Sequence, residues 1–174
     1  MEKKRPERRR WLAFAVLAAC WARPLAAAPA IEPPKGPVLL SVSGALNQKN
    51  DGESTSFDLA LLEMLPRTSF STKTPWYSTP RKFTGVLFRD LLEAIGSQAT
   101  SVRAIALNDY RVDIPVDELV KNGAMIAWLL DDQPMPVREK GPLVIMFPFS
   151  ERAELRNAVH YSRAVWQLRK LELR

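Results

Sequence analysis

Leu87-Phe88-Arg89-Asp90-Leu91-Leu92-Glu93-Ala94-Ile95-Gly96 is the stretch that decides the architecture. Leu87, Leu91 and Ile95 recur at i, i+4 and i+8, with Phe88 and Leu92 alongside, so one face of a short helix is apolar. Gly96 is its natural C-terminal stop. Downstream, 102–107 alternates and is mostly apolar, 110–114 continues as a second strand, and 115–122 is a short helix ended by Gly123. An apolar run of strand length, 124–130, closes on the turn-like Asp131-Asp132-Gln133-Pro134, and 143–147 is a buried strand between Pro142 and Pro148. In the tail, 165–173, Trp166 and Leu168 share one phase and Leu171 and Leu173 the other, a slip that a bulge absorbs. Trp166 is expected as a buried anchor of that strand.

Upstream the pattern is similar. The stretch 70–74 is rich in β-branched and hydroxyl residues and reads as a strand, followed by a loop, 75–80, with Trp76 and Tyr77. Asp58 caps a helix, 59–65, that Pro66 stops. Polar residues 47–54 contain Asp51-Gly52, a hairpin or loop signal, and 38–43 is a strand ended by Gly44. Short strands and short helices alternate without βαβ regularity or internal repeat, which predicts a mixed α+β domain over 38–174.

The first thirty residues have a different character. Lys3, Lys4, Arg5, Arg8, Arg9 and Arg10 precede a short apolar run, 11–22, and then Ala26-Ala27-Ala28-Pro29-Ala30. Basic, apolar, then small is the order of a secretory signal, and the run falls short of the roughly 20 residues that span a bilayer. Residues 31–37, with Pro33, Pro34 and Pro37, read as an extended leader. The expected product is a periplasmic, exported domain with no transmembrane segment. Leu17-Ala18-Ala19-Cys20 fits a lipobox, which would make a lipid-anchored protein through Cys20; ordinary cleavage near Ala28 or Ala30 would discard that cysteine. Arg8-Arg9-Arg10-Trp11-Leu12 also fits a twin-arginine signal.

Charge follows the same division. Residues 1–30 hold seven Lys/Arg and two Glu, a net of +5, which leaves +1 of the chain's +6 for residues 31–174. The basic balance describes the export signal, and the domain has no nucleic-acid surface to offer. The domain also lacks the residues of several familiar sites. Cys20 is the only cysteine and His160 the only histidine, so a His/Cys metal site is excluded. His160 sits in Asn157-Ala158-Val159-His160-Tyr161 with no nucleophile elbow, and reads as a surface or packing residue. Seven unclustered glycines make no phosphate loop.

What remains is a set of polar, turn-like clusters after strands: Asn108-Asp109-Tyr110, 133–138, and Lys140-Gly141-Pro142. Their order is the informative feature. Phe83-Thr84-Gly85-Val86, Asp90-Leu91-Leu92, Asn108-Asp109-Tyr110 with Ile114-Pro115, Met125-Ile126-Ala127, Pro134-Met135-Pro136, Lys140-Gly141-Pro142-Leu143 and Val165-Trp166-Gln167-Leu168 follow one another. This series resembles the molybdopterin-binding domain of the sulfite oxidase family over roughly 38–174. The resemblance implies a mixed-sheet fold holding a pterin whose dithiolene binds molybdenum, with a protein cysteine completing the ligand set. In Thr72-Lys73-Thr74-Pro75-Trp76, Thr72 stands in the place of that cysteine. A hydroxyl is a poor replacement for a soft thiolate.

Two functions therefore stay open: an exported oxidoreductase with altered ligation of its molybdopterin, or a non-catalytic periplasmic module that binds a small anion or a protein partner with the same fold. By the resemblance, Arg138, Lys140 and Arg163 are the donors for an anionic pterin phosphate, with hydrogen bonds from Asn108 and Tyr110. The loops carrying Asn108, Asp109, Tyr110, Arg138, Lys140 and Arg163 are expected to converge on one cleft near Thr72 and Trp76. Trp76, Tyr77 and Trp128 either line that cleft or belong to the core.

Overall fold

A computed structural model describes residues 30–174. The signal, lipobox and twin-arginine expectations fall on residues outside the described part. In chain order the elements are β1 (Leu40–Gly44), β2 (Ser54–Phe57), α1 (Leu59–Glu63), β3 (Arg67–Thr72), β4 (Arg81–Leu87), α2 (Phe88–Ala94), β5 (Ser101–Ala106), β6 (Arg111–Pro115), α3 (Val116–Lys121), β7 (Met125–Leu130), β8 (Gln133–Pro134), β9 (Val144–Met146), α4 (Ala158–Arg163) and β10 (Leu168–Leu173). Two further turns of 3-10 helix cover Val137–Glu139 and Ala153–Leu155.

The strands form two sheets. One has the order β2-β1-β10-β5-β6; in the other β3, β4, β7 and β8 are consecutive neighbours and β9 also pairs with β7. The C-terminal strand β10 returns to the middle of the first sheet, parallel to β1 and antiparallel to β5. Its register slips between Leu168 and Lys170, the irregularity that the change of apolar phase predicts. The mixed sheets and short helices are the expected α+β architecture.

Between the sheets and helices lies one apolar cluster in which Phe57, Phe83, Phe88, Phe147 and Phe149 are almost wholly enclosed. The inner face of α2 is the predicted one, with Phe88, Leu91 and Leu92 buried and Ile95 following at zero exposure. Asp58 caps α1 by accepting the Leu61 N–H at 2.9 Å. The other carboxylate oxygen of Asp58 accepts the N–H groups of Lys35 and Gly36, at 2.9 and 2.7 Å. The Pro-rich stretch 31–37 is thereby tied to the domain, and Ile31 packs on its core.

Several elements differ from the sequence reading: β4 was not expected as a strand and takes in Leu87, which was placed on the helix, β2 starts at the end of a stretch read as a turn, and β8 falls within another. β3 begins earlier and stops at Thr72, because the Lys73 N–H leaves the ladder and donates to Ser150 Oγ at 2.7 Å. α4 was not predicted; Asn157 starts it by accepting the His160 N–H at 3.1 Å. Trp166 lies just before β10, in a single bridge with Val144, and is only partly buried. It is a wall of a cleft and not a strand anchor.

Candidate functional site

The loops after β3, β5 and β7 meet the segment that enters β10. Trp166 is where they touch. Its ring lies 5.1 Å from that of Trp76 and 6.2 Å from that of Tyr77, both edge-on, and 6.3 Å from that of Phe83. Lys140 Nζ stands 5.2 Å from the Trp166 ring centre, within cation–π range.

Two depressions open on this cluster. The larger, about 410 Å³, is bounded by Tyr77, Arg81, Asp131, Met135, Arg138 and Lys140. The smaller, about 260 Å³, is bounded by Trp76, Asn108, Tyr110, Tyr161, Trp166 and Gln167. Trp166 lines the second and packs on Tyr77 and Lys140 of the first.

Backbone chemistry fixes the polar rim. The Gln167 N–H donates to Lys140 O at 2.9 Å and its side-chain amide to Val137 O at 2.8 Å. These bonds hold 137–140 against the entry to β10. Lys140 takes a left-handed conformation, φ 78°. At the next position a Cβ would lie 1.9 Å from Met135 O, so the close return of the chain requires Gly141. On the other side, the turn after β5 closes through Asp109 N–H to Ala106 O at 3.1 Å. Asp109 is left-handed there, φ 62°, and its carboxylate accepts from Arg169 Nη2 at 2.7 Å. Asn108 Oδ1 accepts the Tyr110 N–H at 3.1 Å, and the Tyr110 hydroxyl donates to Ser162 O at 2.9 Å. No acceptor for the Asn108 amide NH2 is found among the described residues.

Three cations and two acids border the larger depression. Arg81 is bonded to Asp131 and also lies over the Tyr77 ring. Burial pushes the Asp131 carboxyl up, but the Lys82 N–H and the Arg81 guanidinium outweigh it and hold it below the usual range. Burial raises the Tyr77 phenol, so it stays a neutral donor. Arg138 is 85% exposed along its side chain, and its one carboxylate neighbour among the described residues is Glu139, at 3.6 Å. Lys140 has no carboxylate partner among the described residues. Arg138 and Lys140 thus form the positive lip.

Asn108 and Tyr110 border the smaller depression with Trp76 and Trp166, whereas Arg138 and Lys140 border the larger one, and of those two only Lys140 reaches the Trp166 ring, so the expected single cleft is two adjoining depressions. The other named residues lie elsewhere. Asp109 serves the turn. Arg163 is bonded to Glu118, which also lies 3.6 Å from His160. Thr72 is fully buried at the end of β3, where its Oγ1 accepts the Ser150 N–H at 3.0 Å. Neither Arg163 nor Thr72 borders either of these two depressions. Trp128 is core, 3% exposed. Sequence reasoning missed Arg81, Tyr161 and Gln167, whose roles depend on contacts across loops and carry no local signal.

No group of three or more His, Cys, Asp or Glu that could hold a metal occurs among the described residues. The donors at Thr72 do not fit a thiolate-ligated metal: the hydroxyl is hard, enclosed and already bonded to backbone. The arrangement fits binding of a flat, anionic group between aromatic walls and a cationic lip. Among the described residues no helix is long and apolar enough to cross a membrane.

A comparison with curated proteins gives no match. Among solved structures, the chain is similar to the sulfane dehydrogenase SoxCD of Paracoccus pantotrophus, with a TM-score of 0.58 and 15% identity. The likeness covers 77% of this chain and 37% of that one, so it shows a shared fold over a fraction of a longer protein. The family model described as "Oxidoreductase molybdopterin binding domain" matches residues 60–152, from α1 past β9. With more than half its length matched and the fold in agreement, the chain belongs to the oxidoreductase molybdopterin-binding domain family.

Proposed function

We propose that this chain is an exported member of the family that holds a pterin-class anion between Trp166 and its lip, and that it supplies no thiolate to a metal. The observation that carries the reading is the Trp76–Trp166–Lys140 cluster beside Arg138. Aromatic walls suit a planar heterocycle, and Lys140, with no carboxylate partner among the described residues, beside the exposed Arg138 suits its phosphate. The larger depression is of ordinary size for a small-molecule site. When bound, molybdopterin supplies redox chemistry at its metal; the residues here bind and orient it.

The test is expression in a host that makes molybdopterin, followed by analysis of the exported form. Released pterin is expected near one per chain, and X-ray absorption of any molybdenum is expected to show no sulfur from the protein. Removing Trp166 and Lys140 together is expected to lower retention at least about tenfold, since a charge-assisted bond contributes about 1.5–3 kcal/mol. A chain carrying no pterin would overturn the ligand, and a protein sulfur on molybdenum would overturn the ligation. Mass spectrometry reads export: an N-terminus at Cys20 or near Ala28 supports it, and an intact Met1 refutes it.

A further inference from the structure

Sheet edges are templates for pairing, and proteins usually blunt them. Most edges here are closed. At β2, Asn50 mimics a neighbouring strand: its Oδ1 accepts the Ser56 N–H at 2.7 Å and its Nδ2 donates to Ser56 O at 2.9 Å. β6 carries Arg111 and Asp113, ends at Pro115 and packs against α4. β8 is two residues long and ends in Pro134, and β9 is backed by the segment before β10 through Ile145 N–H to Val165 O at 3.0 Å.

β3 has none of these devices. It runs six residues without proline, glycine or bulge, in unbroken register with β4 from Arg67 opposite Val86 to Thr72 opposite Arg81. Its free groups can be identified. Lys82 turns its backbone away from β3: its N–H donates to Asp131 Oδ1 at 2.9 Å and its carbonyl accepts from the Asp131 N–H at 2.8 Å. Ser71, opposite Lys82, is therefore in a non-hydrogen-bonded pair. By alternation Ser71, Ser69 and Arg67 all direct N–H and C=O outward. No described group bonds them. At Lys73 the outward N–H meets Ser150 Oγ, which sets the end of the open edge. Phe70 packs on the core and fixes the strand from within.

Charge selects the occupant. Arg67 and Lys73, one at each end of the edge, are exposed and make no ion pair among the described residues. A second copy paired antiparallel on this edge would bring Arg67 of one chain toward Lys73 of the other, an unfavourable like-charge approach. We propose that β3 is a docking edge for strand addition by an extended segment of a partner protein whose ends are acidic. This edge is independent of the aromatic cleft.

The probe is a short synthetic peptide of alternating valine and threonine with aspartate at both ends, titrated into the full chain. Slowed amide exchange at Ser69 and Ser71 is expected. Ser69→Pro removes only an outward N–H, so protection in β4 and β7 should persist while affinity falls about tenfold. Replacing the terminal aspartates by lysines should weaken binding about fivefold at low salt, with the difference lost at high salt. The double variant Arg67→Glu, Lys73→Glu, whose changes lie on exposed side chains, should reverse that preference. No protection at Ser69 and Ser71, or no response to charge reversal, overturns the proposal. Self-association that Ser69→Pro abolishes would also overturn it, by giving the edge to a second copy.

Discussion

Thr72 shows how one side chain can hold two loops in place. Its hydroxyl accepts the Ser150 N–H while Ser150 Oγ accepts the Lys73 N–H, so the end of β3 and the chain after β9 clasp each other. Thr72→Val keeps the shape and removes the acceptor. The bond is part-buried, so its loss is expected to cost about 1 kcal/mol, and Thr72→Ser, which retains the oxygen, should recover most of it. Urea denaturation midpoints measure both; equal midpoints for the two variants would dismiss the clasp. The order of motifs around Trp76 drew attention to Thr72 from the sequence alone. The enclosure of its hydroxyl was not legible there, because Ser150 lies 78 positions away in the chain.

Among the elements, β4 and β7 carry the tightest constraint. A Cβ at Gly85 would lie 2.0 Å from Ile126 O and 2.5 Å from Ala127 Cα, where the β4–β7 register also shifts. These are backbone atoms and cannot step aside. Gly85→Ala is expected to cost about 3 kcal/mol or more, above the usual range for overpacking by one carbon. Gly52→Ala makes the comparison, since Gly52 has φ +59° but open space around it, and should cost about 1 kcal/mol. Thermal unfolding separates the two, and similar losses would show that the close strand approach does not matter. Element type was readable wherever period and punctuation agreed, as in α2 with its apolar face and Gly96. It was not readable for α4, where Ala158–Arg163 buries no residue fully and only the Asn157 cap marks the start. Trp166 misled for a related reason: an aromatic in an apolar run reads as core, whereas its rings-and-lysine neighbours come from distant loops.

At the scale of the molecule, the carboxylates decide the response to acid. Asp113 is held below the ordinary range, first by its side-chain bonds to Arg103, at 2.8 Å each across β5 and β6. The Lys170 ammonium does the same for Glu172 on β10, and the N–H groups of Leu61 and Gly36 for Asp58. Each group favours its charged form more in the folded chain than in the unfolded one. The stability they contribute is fully present above their unfolded pKa values, near 4, and is lost as pH falls through the lower folded values. Tm should therefore decline steeply below about pH 4, and protonation of Asp58 should also loosen the 31–37 leader that it ties down. Asp113→Asn removes one such group, so its acid limb should be shallower than that of the native chain even if its Tm near neutrality is lower. High salt should lessen the difference, because Arg103 and Asp113 are partly exposed and the pair is screened. Calorimetry across the acid range at low and high salt reads all of this. Identical acid limbs for the native chain and Asp113→Asn would mean that the cross-strand pair between β5 and β6 has no part in linking the fold to pH.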